Sequence, residues 1–172
     1  KKIPKAVEEI CGCCEKRPSV VMICITCVDA LLGTDMERIC RKAEEKAGLS
    51  VRPCYMYALT REGRKPPMVH VRQSLYSLLE PKKKKGNVVN LLGFFSPLMD
   101  DCELYGMLEK AGVKTIHEIS RCKDYEEYQT MAEANFNLVL HPEARFTAED
   151  FHENLKIPFI ELRRLYQIDK IT

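Results

Sequence analysis

The chain has 172 residues and a formal net charge of +2 at pH 7, with 45% hydrophobic and 30% charged residues. This balance is typical of a globular domain with its own core, and it gives no argument for nucleic acid or an acidic membrane as a partner. No apolar run reaches the roughly 20 residues that cross a bilayer, and no signal peptide opens the chain, so we predict a cytoplasmic protein.

The first predicted elements alternate between helix and strand. The first seventeen residues resemble the tail of a helix without a start, which favours a piece of a longer chain. Val20–Ile25 is a continuous apolar run, typical of a strand buried on both faces. Thr34, with Glu37 three residues later, predicts a capping box that opens a helix ending at Gly48.

The same alternation continues to the end of the chain. Leu59–His70 is polar and contains proline, which predicts a surface loop. Further strands are predicted at Val51–Tyr57, Val88–Gly93, Val113–Ile119, Phe136–Leu140 and Ile157–Glu161, and further helices at Val71–Leu79, over 101–112, near Tyr125–Ala132 and from Thr147. Strands separated by helices indicate βαβ units. The predicted fold is α/β, a Rossmann-like three-layer α/β/α single domain over residues 1–172 with a mostly parallel sheet of about five strands.

Nine cysteines are many for a chain of this length. Their odd number and the α/β pattern argue against a disulfide framework, and most are predicted to be small core residues. Cys27 differs because it directly follows the first predicted strand, and ligands of open parallel sheets gather outside the carboxyl ends of the strands. Position alone leaves two alternatives for Cys27, a ligand or reactive thiol and a buried structural residue.

Other arrangements of the cysteines compete with this one. Cys24 and Cys27 have the spacing of a redox or metal motif, but Cys24 falls inside the strand, where we expect its side chain in the core. A four-thiolate zinc site would combine that pair with cysteines from an earlier cluster, although one pair would then have to leave a strand. The earlier cluster is Cys11, Cys13 and Cys14.

Other functional motifs are weak or absent in the sequence. No glycine-rich dinucleotide motif, phosphate-binding loop or nucleophilic-serine motif occurs. His141 ends a predicted strand at the ligand-binding edge and His70 lies near a loop, so these two histidines are weaker candidates.

Six segments in the same order resemble the nitrogenase component 1 family. The first, ITCVDALLGTDMERICRKAE, carries a strand that ends in Thr-Cys and is followed by a glycine turn and a helix. The others are VRPCYMY, NVVNLLGFFSP, LYGMLEKAGVKTIHEIS, EANFNLVLHPEA and NLKIPFIEL. In the last of them Lys156 stands where the family has glycine. The resemblance covers the chain from about Arg17 onward.

The resemblance implies one Rossmann-like domain of a nitrogenase-like oxidoreductase subunit, inactive when isolated. It implies that Cys27 ligates an iron–sulfur cluster at a domain or subunit interface, with the other ligands outside this chain. Thr26, Gly33 and Asp35 would shape the turn around the cluster. The catalytic residues are not implied.

The same resemblance implies two partners, a homologous second subunit and an ATP-dependent iron–sulfur reductase that sends electrons through the cluster to a substrate. One alternative is a scaffold or carrier that holds a metallocofactor without turnover of its own. Another is a plain interaction domain in which Cys27 is structural.

Overall fold

The computed structural model describes residues 2–56, 65–93 and 95–162. The chain divides into two compact units, Lys1–Leu78 and Leu79–Thr172, and each contains its own parallel sheet. The predicted α/β class and the parallel pairing of strands are confirmed. No helix in the described part of the chain has the length and apolar character needed to cross a membrane.

The first unit is a two-stranded parallel sheet with four helices among its described residues. Its elements are α1 (Lys2–Cys13), β1 (Val20–Ile25), α2 (Cys27–Leu31), α3 (Met36–Ala47), β2 (Ser50–Tyr55) and α4 (Pro67–Tyr76). The strands pair from Val20 opposite Ser50 to Ile25 opposite Tyr55. Because both strands run the same way, their carboxyl ends lie at one edge of the sheet.

The core of the first unit lies between α1, α3 and the sheet. Its buried side chains are Val7, Cys40, Ala43, Ala47 and Val51. The three from α3 follow helical spacing, which gives that helix one apolar face. Burial, with the nearby Glu37 carboxylate, raises the pKa of the Cys40 thiol to about 11, so Cys40 is a small core residue as predicted.

Helix α3 begins one residue later than the sequence predicts. Its N-cap is Asp35, whose carboxylate accepts the N–H of Arg38 at 3.0 Å, and not Thr34. Both residue types can cap, but a carboxylate also complements the positive end of the helix. The predicted end is confirmed, since Gly48 has a left-handed φ of 63° and its N–H donates to Glu44 O at 2.8 Å.

The second unit is a four-stranded parallel sheet with helices between the strands. Its elements are β3 (Val88–Leu92), α5 (Glu103–Lys110), β4 (Thr115–His117), α6 (Tyr125–Gln129), β5 (Phe136–Val139), α7 (Arg145–Leu155) and β6 (Phe159–Glu161), with 3-10 turns at Ile119–Arg121, Thr130–Glu133 and Pro142–Ala144. The strand order is β4-β3-β5-β6. Every residue of β3 is buried, as a central parallel strand requires.

The described strands form a pair and a set of four, whereas the sequence predicts one sheet of about five. Apolar runs locate strands but carry no information on which strands become neighbours. The single domain over residues 1–172 stays a prediction. The predicted helical character of the first seventeen residues is confirmed by α1.

The starts of two further helices differ from the sequence prediction. The predicted loop Leu59–His70 falls partly on residues 57–64, outside the described part, but α4 already begins at Pro67 because proline suits the first helical position. Helix α7 begins at Arg145, not at Thr147, which is fully buried within it.

The end of α7 has an unusual backbone. Lys156 caps the helix with a left-handed φ of 56°, and its N–H donates to Phe151 O. Its Nζ donates to Glu153 O at 2.9 Å. The lysine side chain therefore returns to the carboxyl end of its own helix, where a cation is favourable.

Candidate functional site

The predicted site begins where β1 ends. Ile25 is the last residue of the strand and is only 1% exposed. The next two residues turn outward, so Thr26 is exposed and the exposed Cys27 begins α2. The Cys27 thiol thus lies at the carboxyl edge of a parallel sheet, where ligands of such sheets bind.

Short-range hydrogen bonds shape the turn that follows Cys27. Leu32 N–H donates to Val28 O at 3.0 Å, and Thr34 N–H donates to Asp29 O at 3.1 Å. Between these contacts Gly33 has a φ of 62°, a left-handed conformation that favours glycine. The turn between α2 and α3 is therefore fixed by its backbone.

The four predicted site residues lie in this one stretch of chain. Asp35 accepts the N–H of Arg38 at the start of α3 and also forms an ion pair with the Arg38 guanidinium at 3.7 Å. Asp35 and Gly33 therefore act on the shape of the turn, and the exposed Thr26 and Cys27 remain at the surface. A ligand role for any of the four stays a prediction.

Exposed apolar side chains accompany Cys27. The apolar edge, as we call this group, consists of Val28 at 57% exposed, Leu31 at 76%, Leu32 at 75% and Met56 at 56%. Met56 N–H donates to Ile25 O at 3.2 Å, which extends β2 beside the turn. Three of these side chains follow Cys27 closely along the chain, and grouped exposed apolar side chains indicate an interaction site. The sequence does not reveal this surface, because an apolar run does not show how much of it is covered.

A histidine also approaches this edge. The ring of Tyr55, at the end of β2, lies 6.5 Å from the His70 ring in an edge-to-face arrangement. The Tyr55 hydroxyl donates to Glu37 Oε1 at 3.2 Å. His70 belongs to α4 and not to the predicted loop, and it is half-buried.

The prediction that Cys24 lies in the core is wrong. Its side chain is exposed, because most of β1 is only partly covered in a two-stranded sheet. Cys24 faces Cys54 directly across the sheet, and Cys54 is buried. The sequence does not reveal this pair, because the register between two parallel strands is set by tertiary packing.

No three His, Cys, Asp or Glu side chains within 2–56, 65–93 and 95–162 come together in a group that could hold a metal ion. The described residues therefore do not form the zinc arrangement considered from the sequence, which combined Cys11, Cys13 and Cys14 with Cys24 and Cys27. Cys27 fits the role of a single iron ligand, because an exposed thiol can lose its proton and bind iron as a thiolate.

Comparison with known proteins decides the family. The profile of the nitrogenase component 1 type oxidoreductases matches residues 1–172. The chain belongs to this family. A nitrogenase iron-molybdenum cofactor biosynthesis protein NifE from Nostoc sp. is 29% identical over 178 residues, which cover 100% of this chain and 36% of that protein.

A second curated relative and a solved structure are also similar to this chain. The nitrogenase molybdenum-iron protein alpha chain of Methanosarcina barkeri is 23% identical over 94% of this chain and 31% of its own length. A solved structure of nitrogenase Cp1 at pH 5 superposes with a TM-score of 0.68 at 22% identity, over 93% of this chain and 33% of that chain. The Rossmann-like fold is thereby confirmed, and the chain spans about a third of the length of the curated relatives it matches.

The sheet of the second unit has a carboxyl edge of its own. From β3 the chain first adds β4 on one side and then β5 on the other side. Open α/β sheets have their ligand-binding crevice at such a reversal of strand order, here between β3 and β5. A Cβ on Gly93, after β3, would lie 3.3 Å from Leu140 Cβ, after β5, so the chains approach closely there. His141 follows, and its Nδ1 accepts the N–H of Glu143 at 3.3 Å, which caps a 3-10 turn.

We predict that alkylation distinguishes the site cysteine from the core cysteine. In the native, reduced chain, Cys27 should react with iodoacetamide at least about tenfold faster than Cys40, because Cys40 is buried and its raised pKa suppresses the thiolate. Peptide mass mapping over time measures both rates. The difference should vanish in urea, and equal rates in the native chain would contradict the placement of Cys27.

Proposed function

We propose that this chain is part of a nitrogenase component 1 type subunit in which the Cys27 thiolate is one ligand of an iron–sulfur cluster. One observation carries the proposal: Cys27 is exposed at the carboxyl edge of the β1–β2 sheet, in a chain that belongs to this family. A thiolate is the ligand type that iron–sulfur clusters use.

The chemistry of the chain's own residues is limited to binding and shaping. Cys27 would hold a cluster through its thiolate, the form in which cysteine binds metals. Gly33 and the Asp35 cap hold the turn between α2 and α3 that follows Cys27. The cluster itself, when bound, supplies an electron store.

The remaining ligands would come from outside the described residues. One thiolate does not hold a cluster, since clusters of this kind are usually bound by four cysteines. The chain matches about a third of each relative, so the rest of a longer subunit or a homologous second subunit would supply them. The apolar edge supports such a partner, because covering it would also exclude water around the Cys27 thiolate.

Two functions are compatible with such a cluster. In the first, an ATP-dependent iron–sulfur reductase gives electrons to the cluster, which relays them to a substrate. In the second, the subunit is a scaffold that holds a metallocofactor during assembly without turnover. Iron-molybdenum cofactor biosynthesis proteins from several organisms match this chain at 22% to 29% identity, alongside a molybdenum-iron protein alpha chain at 23%, and their predominance favours the scaffold.

The decisive measurement is iron and acid-labile sulfide per chain in the full-length protein, purified without oxygen. We expect Cys27→Ala to lower both about tenfold or more, because a ligand is lost. Cys13→Ala is the matched control, since Cys13 is also exposed but lies at the end of α1, and it should keep its iron. Both variants should fold, as replacing an exposed side chain changes stability by about 0.5 kcal/mol or less.

Equal iron in the parent and in Cys27→Ala would overturn the assignment of Cys27. With iron bound, the two functions separate by a second measurement. Oxidation of the cluster by a substrate after reduction with the reductase and MgATP supports the relay. Transfer of bound metal to an acceptor protein that lacks it, without turnover, supports the scaffold.

A further inference from the structure

We propose that Cys24 and Cys54 are an oxidisable dithiol that closes to a reversible disulfide between β1 and β2. This modification site is separate from the iron ligand Cys27 and does not depend on a cluster. The register of the two strands and the unequal exposure of the two thiols support this pairing.

The strand register brings the two side chains together. Cys24 and Cys54 are Cα partners in the parallel ladder, so both side chains project from the same face of the sheet. Neighbouring strands are about 4.8 Å apart, within the range of about 4.4 to 6.8 Å that a disulfide spans between Cα atoms. The adjacent residues Ile23 and Ile25 alternate to the other face.

The two thiols are neighbours across the sheet. Burial raises the pKa of the Cys54 thiol, and the neighbouring Cys24 side chain adds to this effect. The other buried cysteine of this unit, Cys40, belongs to the cluster between α1, α3 and the sheet. Cys24 is therefore the cysteine that faces Cys54 across the sheet.

The two thiols differ in exposure, which suits one to attack an oxidant and the other to resolve the product. Cys24 is exposed, whereas Cys54 is 5% exposed and lies on β2, against which α4 packs. An oxidant in solution reaches Cys24 first. Cys54 is sheltered from that oxidant but adjacent to the sulfur of Cys24, which is the arrangement of an attacking and a resolving cysteine.

A low-molecular-weight disulfide such as oxidised glutathione completes the chemistry. The Cys24 thiolate attacks one of its sulfurs, the S–S bond breaks, and one small thiol leaves while a mixed disulfide forms on Cys24. Cys54 then gives up its proton and attacks the Cys24 sulfur, which forms the Cys24–Cys54 bond and releases the second small thiol. Two electrons pass from the protein thiols to the small disulfide.

The product would tie the two strands together near their carboxyl edge. Cys24 lies three residues before Cys27, so the link would be close to the turn while the Cys27 thiol stays free. One sulfur of this disulfide, that of Cys24, would be accessible to a reducing thiol, so the bond would report on the redox state of its surroundings.

Peptide mapping tests the proposal on the reduced chain. Trypsin places Cys24 and Cys27 together in residues 17–38 and Cys54 in residues 47–61. After treatment with oxidised glutathione, we expect these two peptides to be linked and the link to disappear with dithiothreitol. Cys27→Ser should keep the link, and Cys24→Ser should lose it. Both changes are at exposed positions, and circular dichroism checks that the variants fold.

Each other outcome would overturn the proposal. A loop within residues 17–38 would show that Cys24 pairs with Cys27. A link that survives in Cys24→Ser would show that Cys54 uses another partner. Glutathione adducts on Cys24 without any link would show that Cys54 cannot resolve them.

Discussion

Asn90→Ala is expected to lower the free energy of unfolding by about 3 kcal/mol, because it leaves the buried Asn137 Oδ1 without this donor and removes one of the two hydrogen bonds to Met131 O. Asn90 is fully buried in β3, and its Nδ2 donates to Met131 O at 2.9 Å and to Asn137 Oδ1 at 2.8 Å. The second bond joins β3 to β5. Urea unfolding followed by circular dichroism measures the change.

A double variant makes this test sharper. Asn90 Oδ1 and Asn137 Nδ2 have no partner among the described residues, so the pair itself is only partly satisfied. Asn90→Ala with Asn137→Ala should therefore be less destabilised than the sum of the two single variants. Asn154→Ala, on the exposed surface of α7, is the control and should change stability by about 0.5 kcal/mol or less. Strict additivity would contradict a coupled pair.

Glu118→Leu is expected to cost about 3 kcal/mol, because it removes a buried carboxylate that serves three donors. Glu118 is 6% exposed and accepts hydrogen bonds from the Tyr105 hydroxyl, from Leu98 N–H at 2.9 Å and from Arg121 Nε at 3.2 Å. The bond to Leu98 holds the segment between β3 and α5. Urea unfolding gives the free energy, and hydrogen exchange should rise over residues 95–102.

The matched control lies in the same network. Asp100 accepts from Arg121 at 2.6 Å, but its side chain is 89% exposed. Asp100→Ala should therefore cost less than about 0.5 kcal/mol, as exposed ion pairs contribute little. Equal losses for Glu118→Leu and Asp100→Ala would show that burial of the carboxylate is not what makes Glu118 important.

Local signals in the sequence predict much of this fold. The apolar run of β3 and the helical spacing in α3 are confirmed, because burial of one face or of both is encoded in consecutive residues. The exact cap is harder to predict, as Thr34 and Asp35 are both good capping residues. The division into two sheets depends on contacts between distant segments, which no local pattern records.

The candidate site was predicted only in part. The place of Cys27 after a strand follows from the order of elements, and its exposure agrees with a ligand role. The exposure of Cys24 and its pairing with Cys54 across the sheet could not be predicted, because both depend on register and on which helix covers which strand. The exposure of the apolar edge could not be predicted either, because it also depends on tertiary packing.

Lys156, the C-cap of α7, has a backbone conformation that usually favours glycine. A left-handed residue with a side chain costs roughly 1 kcal/mol more than glycine, yet the lysine returns a hydrogen bond to Glu153 O in part compensation. The left-handed end of α7 is therefore formed by a lysine, at a position where the resemblance to the family implies glycine. A side chain at this position is compatible with the turn that leads into β6.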